Sequence, residues 1–365
     1  MRGGWELPFK EHCLVGERGE RRLAADAAGY SRLMGADEEG TLARLDTRGL
    51  PSHSLTFDEY GAQVREVEIS FLMTSVSEGT WEVGQSQIDN IVVQYGAEGG
   101  TKIAHGLTRP DVVLFILQHT WAGHVIFDGH KADEHDFVVL PPSTHFSAAT
   151  HGPNRWLSIS VPPKLFGKVE TQIKLNGLDW ITKEKRVVSM EPRSAKELIG
   201  KTIDLAKGKK AVKGDRSSDG ESESYLLNLL IAAISGATAI VNLPETARSS
   251  RRIMHRALEY VRHHDGEILR VTDLAKAAKV AERSLHRAFK EQLGIGTARY
   301  LKIRKLNTVR RALCMAHPPG DTLTKILAQN GVSEFGRFAS EYGALFGEKP
   351  SQTWERSAKP VVGRT

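Results

Sequence analysis

Two stretches of this chain repeat one pattern, and that repetition constrains the fold more than any other feature. In "VTDLAKAAKVAERSLHRAFKEQLG", residues 271–294, Leu274, Ala275 and Ala278 recur at helical spacing, and Leu285, Ala288 and Phe289 do so again after a gap. Only "KVA" separates the two runs. A turn that short joins two helices at a steep angle, which is helix-turn-helix geometry. "LTKILAQNGVSEFGRFASEYGALFG", residues 323–347, repeats the unit, with Ile326 and Leu327 on the first helix, Asn330 and Gly331 at the turn, and Phe338 and Tyr342 buried on the second. Between the copies "ARYLKIRKLNTVRRALCMA" has Leu301, Leu306, Val309 and Leu313 on one face and basic residues on the other, so a basic amphipathic helix joins them.

Charge agrees with that placement. The chain of 365 residues has a formal net charge of +6, but residues 251–358 alone carry about nine more Lys and Arg than Asp and Glu, leaving the rest slightly acidic. A basic half beside an acidic one points to a polyanionic partner.

Taken in order, "DLAKAAKVAERSLHRAFKEQLGIG", "YLKIRKLNTVRRAL" and "NGVSEFGRFASEYGALFGEKPSQTW" resemble the C-terminal module of the AraC/XylS family of transcription regulators, over about residues 251–354. The resemblance implies a seven-helix, double helix-turn-helix domain that binds double-stranded DNA in a cytoplasmic regulator without enzymatic activity. Its other implied partners are a small-molecule effector, RNA polymerase and a second copy of the chain; no cofactor is implied. It also places base contacts at Arg283, His286 and Arg287. Helix geometry, with Leu285 and Phe289 inward, adds Ser284 and Lys290 to the same outer face. In the second unit the corresponding positions fall around Glu334, Phe335, Gly336, Arg337 and Ser340, which offer fewer donors, so the first unit is expected to carry more of the specificity. Arg304, Lys305, Arg310 and Arg311 are expected at phosphates or in solvent. Three departures stand out: Ala281 in place of a serine cap, and Leu327 and Val332 in place of a small residue and an aromatic.

Upstream the texture changes. Between residues 51 and 165 the runs "VEISFLM", "NIVVQYG", "VVLFILQ", "GHVIFDG", "DFVVLPP" and "WLSISVPP" are bounded by turn residues, so an antiparallel barrel or sandwich is expected. "HKADEHDFVVLPPSTHFSAA" resembles part of a cupin-like barrel, which in this family precedes the DNA-binding module and holds an effector. The fold class is therefore α+β and multidomain: a cupin-like barrel with flanking helices, then an all-α tandem helix-turn-helix. Trp81, Trp121, Phe127 and Phe146 are candidates for lining the effector pocket. Seven histidines, from His105 to His151, are scattered over the barrel without an H-x-H and nearby Glu, so no metal site is expected.

Residues 166–243 are expected to be helical and to dimerise, interrupted by a polar, charge-rich insert at 207–224. The uncharged run "YLLNLLIAAISGATAIVNL" is long enough to span a bilayer, but Asn228, Ser235, Gly236, Thr238 and Asn242 favour a packed core or subunit interface over a membrane span. Cys13 and Cys314 are too distant in sequence to suggest a disulfide framework, which suits a reducing compartment.

One stretch points elsewhere. "RRLAADAAGYSRLMGADEEGTLARL", within residues 1–50, is similar to the opening strand and helix of class III adenylate cyclases, where an Asp at the position of Asp26 holds a metal. Two-metal phosphoryl chemistry needs a second carboxylate on a later hairpin, and the expected "TGDG"-like turn is missing. A nucleotide cyclase and a metal-dependent cupin enzyme are the alternatives; a poorly ordered extension is the expectation.

Overall fold

The computed structural model describes residues 50–77, 79–120, 124–133, 135–209, 220–242, 250–264, 267–316 and 320–358. The cyclase-like stretch with Asp26, and Trp121, lie outside them.

The chain first lays down β1 (His53–Leu55), α1 (Phe57–Gln63), β2 (Val67–Met73), β3 (Trp81–Ile88), β4 (Ile91–Glu98), β5 (Lys102–Thr108), β6 (Val113–Thr120), β7 (His124–Phe127), β8 (His130–Ala132), β9 (Asp136–Leu140), β10 (His145–His151) and β11 (Asn154–Val161). All of the expected runs become strands. Turn chemistry fixes two of the hairpins. Asp128 and Gly129 both sit at positive φ, the two-residue turn that brings Phe127 opposite His130, and Asp89 at φ 50 begins the turn that brings Ile88 opposite Ile91.

Two antiparallel sheets result, ordered β1-β3-β4-β11-β6-β9-β12-β13 and β2-β5-β10-β7-β8. Alternation sorts their side chains. On β6, Val113, Phe115 and Leu117 face the helices that follow β11, whereas Leu114 and Ile116 face the small sheet, where they meet Ala104, Phe127, Phe146 and Ala148. The small sheet is covered twice. Its other face presents Leu72, Ile103 and Ala149 to the C-terminal helices.

The region read as helical contains α2 (Glu170–Leu175), α3 (Pro192–Ala206) and α4 (Glu221–Ser235), but also two strands, β12 (Arg186–Ser189) and β13 (Ala239–Asn242), which pair and extend the large sheet. The long apolar run is thus not one helix. It stops at Gly236, and Ile240 and Val241 beyond it belong to a strand. The apolar face of α4 is consumed within the chain, because Leu226, Leu227, Leu230 and Ile231 are buried in the core of the large sheet. Glu223 fixes that docking by accepting from Asn90 and Lys168. Among the described residues, no helix is long and apolar enough to cross a membrane.

The remainder is helical: α5 (Ser250–His263), α6 (Val271–Ala278), α7 (Glu282–Leu293), α8 (Thr297–Cys314), α9 (Leu323–Gln329), α10 (Phe335–Phe346) and α11 (Pro350–Ala358).

Candidate nucleic-acid interface

The first unit forms where the sequence places it. Asp273 accepts from the Arg270 N–H at 2.8 Å to start α6, and Lys279 at φ 56 ends it, its N–H bonding the Ala275 and Lys276 carbonyls. Ala281 opens α7 without a side-chain cap, so a backbone donor there goes without the usual hydroxyl or carboxylate. Leu285, Ala288, Phe289 and Leu293 are buried against α5, α6 and α8. The opposite face carries Arg283, His286, Arg287 and Lys290, all exposed, with Ser284 half-buried. Arg287 lies 3.7 Å from Glu291 with its side chain 67% exposed, so little holds it. His286 is more constrained, since a Cβ added at Gly296 would stand 2.2 Å from its ring. The far end of α7 meets the small sheet: Gln292 packs on Gly129, and Gly294 on His151.

In the second unit Thr322 caps α9 by accepting from the Lys325 N–H, and Gly331 at φ 68 makes the turn. Leu327 and Val332 are buried with Phe338 and Tyr342, so the two departures fill the core of this unit. Glu334, Arg337 and Ser340 are exposed on or beside α10, but Arg337 is already held by Glu341 at 3.2 Å and Glu334 at 3.6 Å. Glu341 also accepts from Lys302 on α8 at 3.0 Å. The Lys302 contact, then Arg337, keeps the Glu341 carboxyl below its ordinary range despite the effect of burial.

A family model described as a helix-turn-helix domain matches residues 274–356. A probable thc operon regulatory protein of Rhodococcus erythropolis is 33% identical over 131 residues, 36% of this chain and 39% of that protein. A XylDLEGF operon transcriptional activator of Pseudomonas putida is 30% identical over 109 residues, 29% of this chain and 33% of the activator. The C-terminal helices thus contain a helix-turn-helix domain and are similar to those of AraC/XylS-type regulators. The chain therefore spans well under half the length of these relatives. Among solved structures, the AraC-like transcriptional activator CuxR is 11% identical with a TM-score of 0.35, over 70% of this chain and 93% of that one.

Within this helix-turn-helix module the basic residues of the linking helix α8 depart from expectation. Arg310 is neither at a phosphate position nor in solvent. Its guanidinium donates to both carboxylate oxygens of Asp58 on α1 at 2.8–3.1 Å and to Glu348 at 2.8 Å, and stacks over the Phe346 ring at 4.7 Å. Burial would raise the Glu348 carboxyl, but bonds from Arg356 and Thr353 and the charge of Arg310 hold it at about 2. Arg304 is buried too, donating to the carbonyls of His264 and Glu267 just beyond α5. Lys305 donates to the Gly331 carbonyl at 2.7 Å, leaving Arg311 exposed as expected. One turn before Arg310, Asn307 pairs with the N–H and the C=O of Met73, both at 3.0 Å. The sequence offered no local sign of the ties to Asp58 and Met73, because these two partners lie more than two hundred residues away.

The expected effector residues sit in packed surroundings. Phe127 and Phe146 stack at 5.5 Å between the sheets, where they line a cavity of about 60 Å³. Trp81 lies in a neighbouring cluster with Tyr60, Met73 and Trp156. At about 30 Å³ of liquid volume per water, that cavity admits roughly two waters. An effector there requires side chains to move. No group of three or more His, Cys, Asp or Glu suited to a metal occurs among the described residues.

Proposed function

We propose that the chain is a sequence-specific transcription regulator that reads double-stranded DNA through α7 and responds to a small-molecule effector. One observation carries the reading: α7 is the second helix of the first helix-turn-helix unit, and its outward face presents Arg283, His286, Arg287 and Lys290 while its inward face is wholly apolar apart from Gln292. An exposed Arg on such a helix can pair bidentately with guanine O6 and N7, and about 1–3 kcal/mol of discrimination goes with each good pair. Ser284 adds a hydroxyl at the edge of that face. Glu334, Arg337 and Ser340 form the second, weaker reading surface, with Arg337 partly neutralised by its own carboxylate neighbours.

The β half, residues 51–165, is the sensing domain in this reading, and its two facing sheets are a cupin-like barrel. Residues 166–243 serve dimerisation. The surface we assign to a second copy is the edge at β13, the last strand of the large sheet among the described residues, where Ile240 and Val241 are 38% and 36% exposed. RNA polymerase is the further partner of an activator.

A gel-shift selection against random duplexes at fixed salt tests the reading. A preferred site should emerge, and Arg287→Ala should lose roughly ten-fold of preference at one base pair while keeping non-specific binding. Binding of all duplexes alike would refute it.

A further inference from the structure

A second cavity, of about 450 Å³, lies outside the barrel, between the small sheet and the DNA-binding module. That volume is within the ordinary range of small-molecule sites, about 300–1,000 Å³. Leu72 of β2 and Leu107 of β5 form the apolar part of one wall, and Leu258 and Val261 of α5 form the other. The polar lining is mostly basic. Arg262, Arg304 and Arg311 face a single carboxylate, Glu68.

These cations are not equivalent. Arg304 is committed to two carbonyls. Arg262 makes no hydrogen bond or ion pair among the described residues, and Arg311 reaches only the Thr308 hydroxyl, at 3.5 Å. His105, at the floor, faces Ser147 Oγ at 3.0 Å and Tyr300 OH at 3.2 Å. Burial, then the nearby charge of Arg262, pushes its imidazole down to about 4, so it adds no positive charge at neutral pH. The cleft thus pairs an apolar body with two uncommitted guanidinium groups.

We propose that this cleft is the effector site and that it binds an amphipathic carboxylate, its head on Arg262 and Arg311 and its apolar body against Leu72, Leu107 and Leu258. The proposal rests on the effector-responsive reading above and deepens it. A guanidinium matches a carboxylate bidentately, and the walls contribute by removing apolar surface from water. The occupant touches β2 and β5 on one side and α5 and α8 on the other. Occupancy therefore changes the contact between sheet and module, which is the coupling an effector must have.

Isothermal titration of the full-length protein with phenylbutyrate, and with phenylbutanol as the uncharged match, tests the site. Saturable one-site binding of the acid is expected, at least ten-fold tighter than the alcohol. The pair Arg262→Gln and Arg311→Gln, both exposed positions that leave the core alone, should abolish that preference. Leu107→Trp, which fills the cavity, should weaken acid and alcohol together. No binding, equal binding of acid and alcohol, or binding that ignores the arginine substitutions overturns the proposal. So does a uniform loss of DNA affinity with a shallower salt dependence in the arginine variants without any effect on phenylbutyrate, since it makes them phosphate contacts. The titration needs no DNA, so the site can fail while sequence-specific DNA binding stands, or hold while that fails.

Discussion

Replacing Arg310 by Ala separates a structural role from a DNA-contacting one. In the native protein the guanidinium is about 9% exposed and sits between Asp58 and Glu348, whose side chains are 20% and 18% exposed. Removing it leaves two carboxylates facing one another across the junction of α1, α8 and the α10–α11 turn. Breaking a buried pair costs about 3–5 kcal/mol. The partial exposure of the acids, and the grip of Arg356 on Glu348, lower this to about 2–3 kcal/mol, roughly 30- to 150-fold in a local opening constant. Cys314, one turn further along α8, reports on that opening. Its thiol is pushed up to about 12, first by burial and then by Asp58. Peptide-resolved alkylation of Cys314 in the native protein should therefore be slow and should accelerate at least thirty-fold in Arg310→Ala. Arg310 itself favours the thiolate, so its loss slows the intrinsic chemistry, and acceleration reports opening alone. Arg311→Ala, one residue on and exposed, should leave the rate unchanged. The pair Arg310→Met with Asp58→Leu should recover most of the protection, since apolar groups can replace a buried ion pair at little cost. If Arg310→Ala keeps Cys314 protected and instead lowers the salt slope of DNA binding by about 0.9, the residue is a phosphate contact and the structural reasoning is wrong.

Other expectations follow from single positions. Ala281→Asp should supply the missing cap of α7 and raise the unfolding free energy by about 1 kcal/mol in urea titration, with no gain if the helix start is already satisfied. Glu341→Gln should release Arg337 and Lys302 toward DNA, tightening non-specific binding a few-fold and steepening its salt dependence; an unchanged slope would place both cations away from phosphate. Stability should fall as the pH drops from about 6.5 toward 4, because His105, at about 4, and His145 and His151, also lowered chiefly by burial, take up protons at lower pH in the folded chain than in the unfolded one. Urea midpoints between pH 7 and pH 4.5 check the sign, and His105→Asn should flatten the dependence.

The sequence made some elements legible because their signals are local. Helix-turn-helix spacing needs only neighbouring residues, so Leu285, Phe289, Phe338 and Tyr342 were readable as core, and β-branched runs marked β2, β4, β6 and β11. Strands β5 and β10 escaped notice, and the reason lies in their position. They run through the middle of a sheet pressed on both faces, where close approach demands small side chains: Gly106 lies under the Phe146 ring, which would stand 2.3 Å from an added Cβ, and Ala148 and Ala149 face opposite layers. "KIAHGLT" and "HFSAATH" therefore lack the bulky alternation by which strands are recognised.

The basic residues of α8 show the same limit at the candidate site. Periodicity places Arg304, Arg310 and Arg311 on a helix but cannot separate a cation that meets phosphate from one that meets a carboxylate 252 positions earlier in the chain. Burial in the folded state decides, and it sorts them into two structural arginines and one exposed. Asn307 and Arg310, one turn apart, tie the helix that joins both reading units to β2 and α1. Whatever moves the small sheet or α1 thus acts on the helix that sets the spacing of the two units, and this route to DNA affinity needs no change in α7 or α10 themselves.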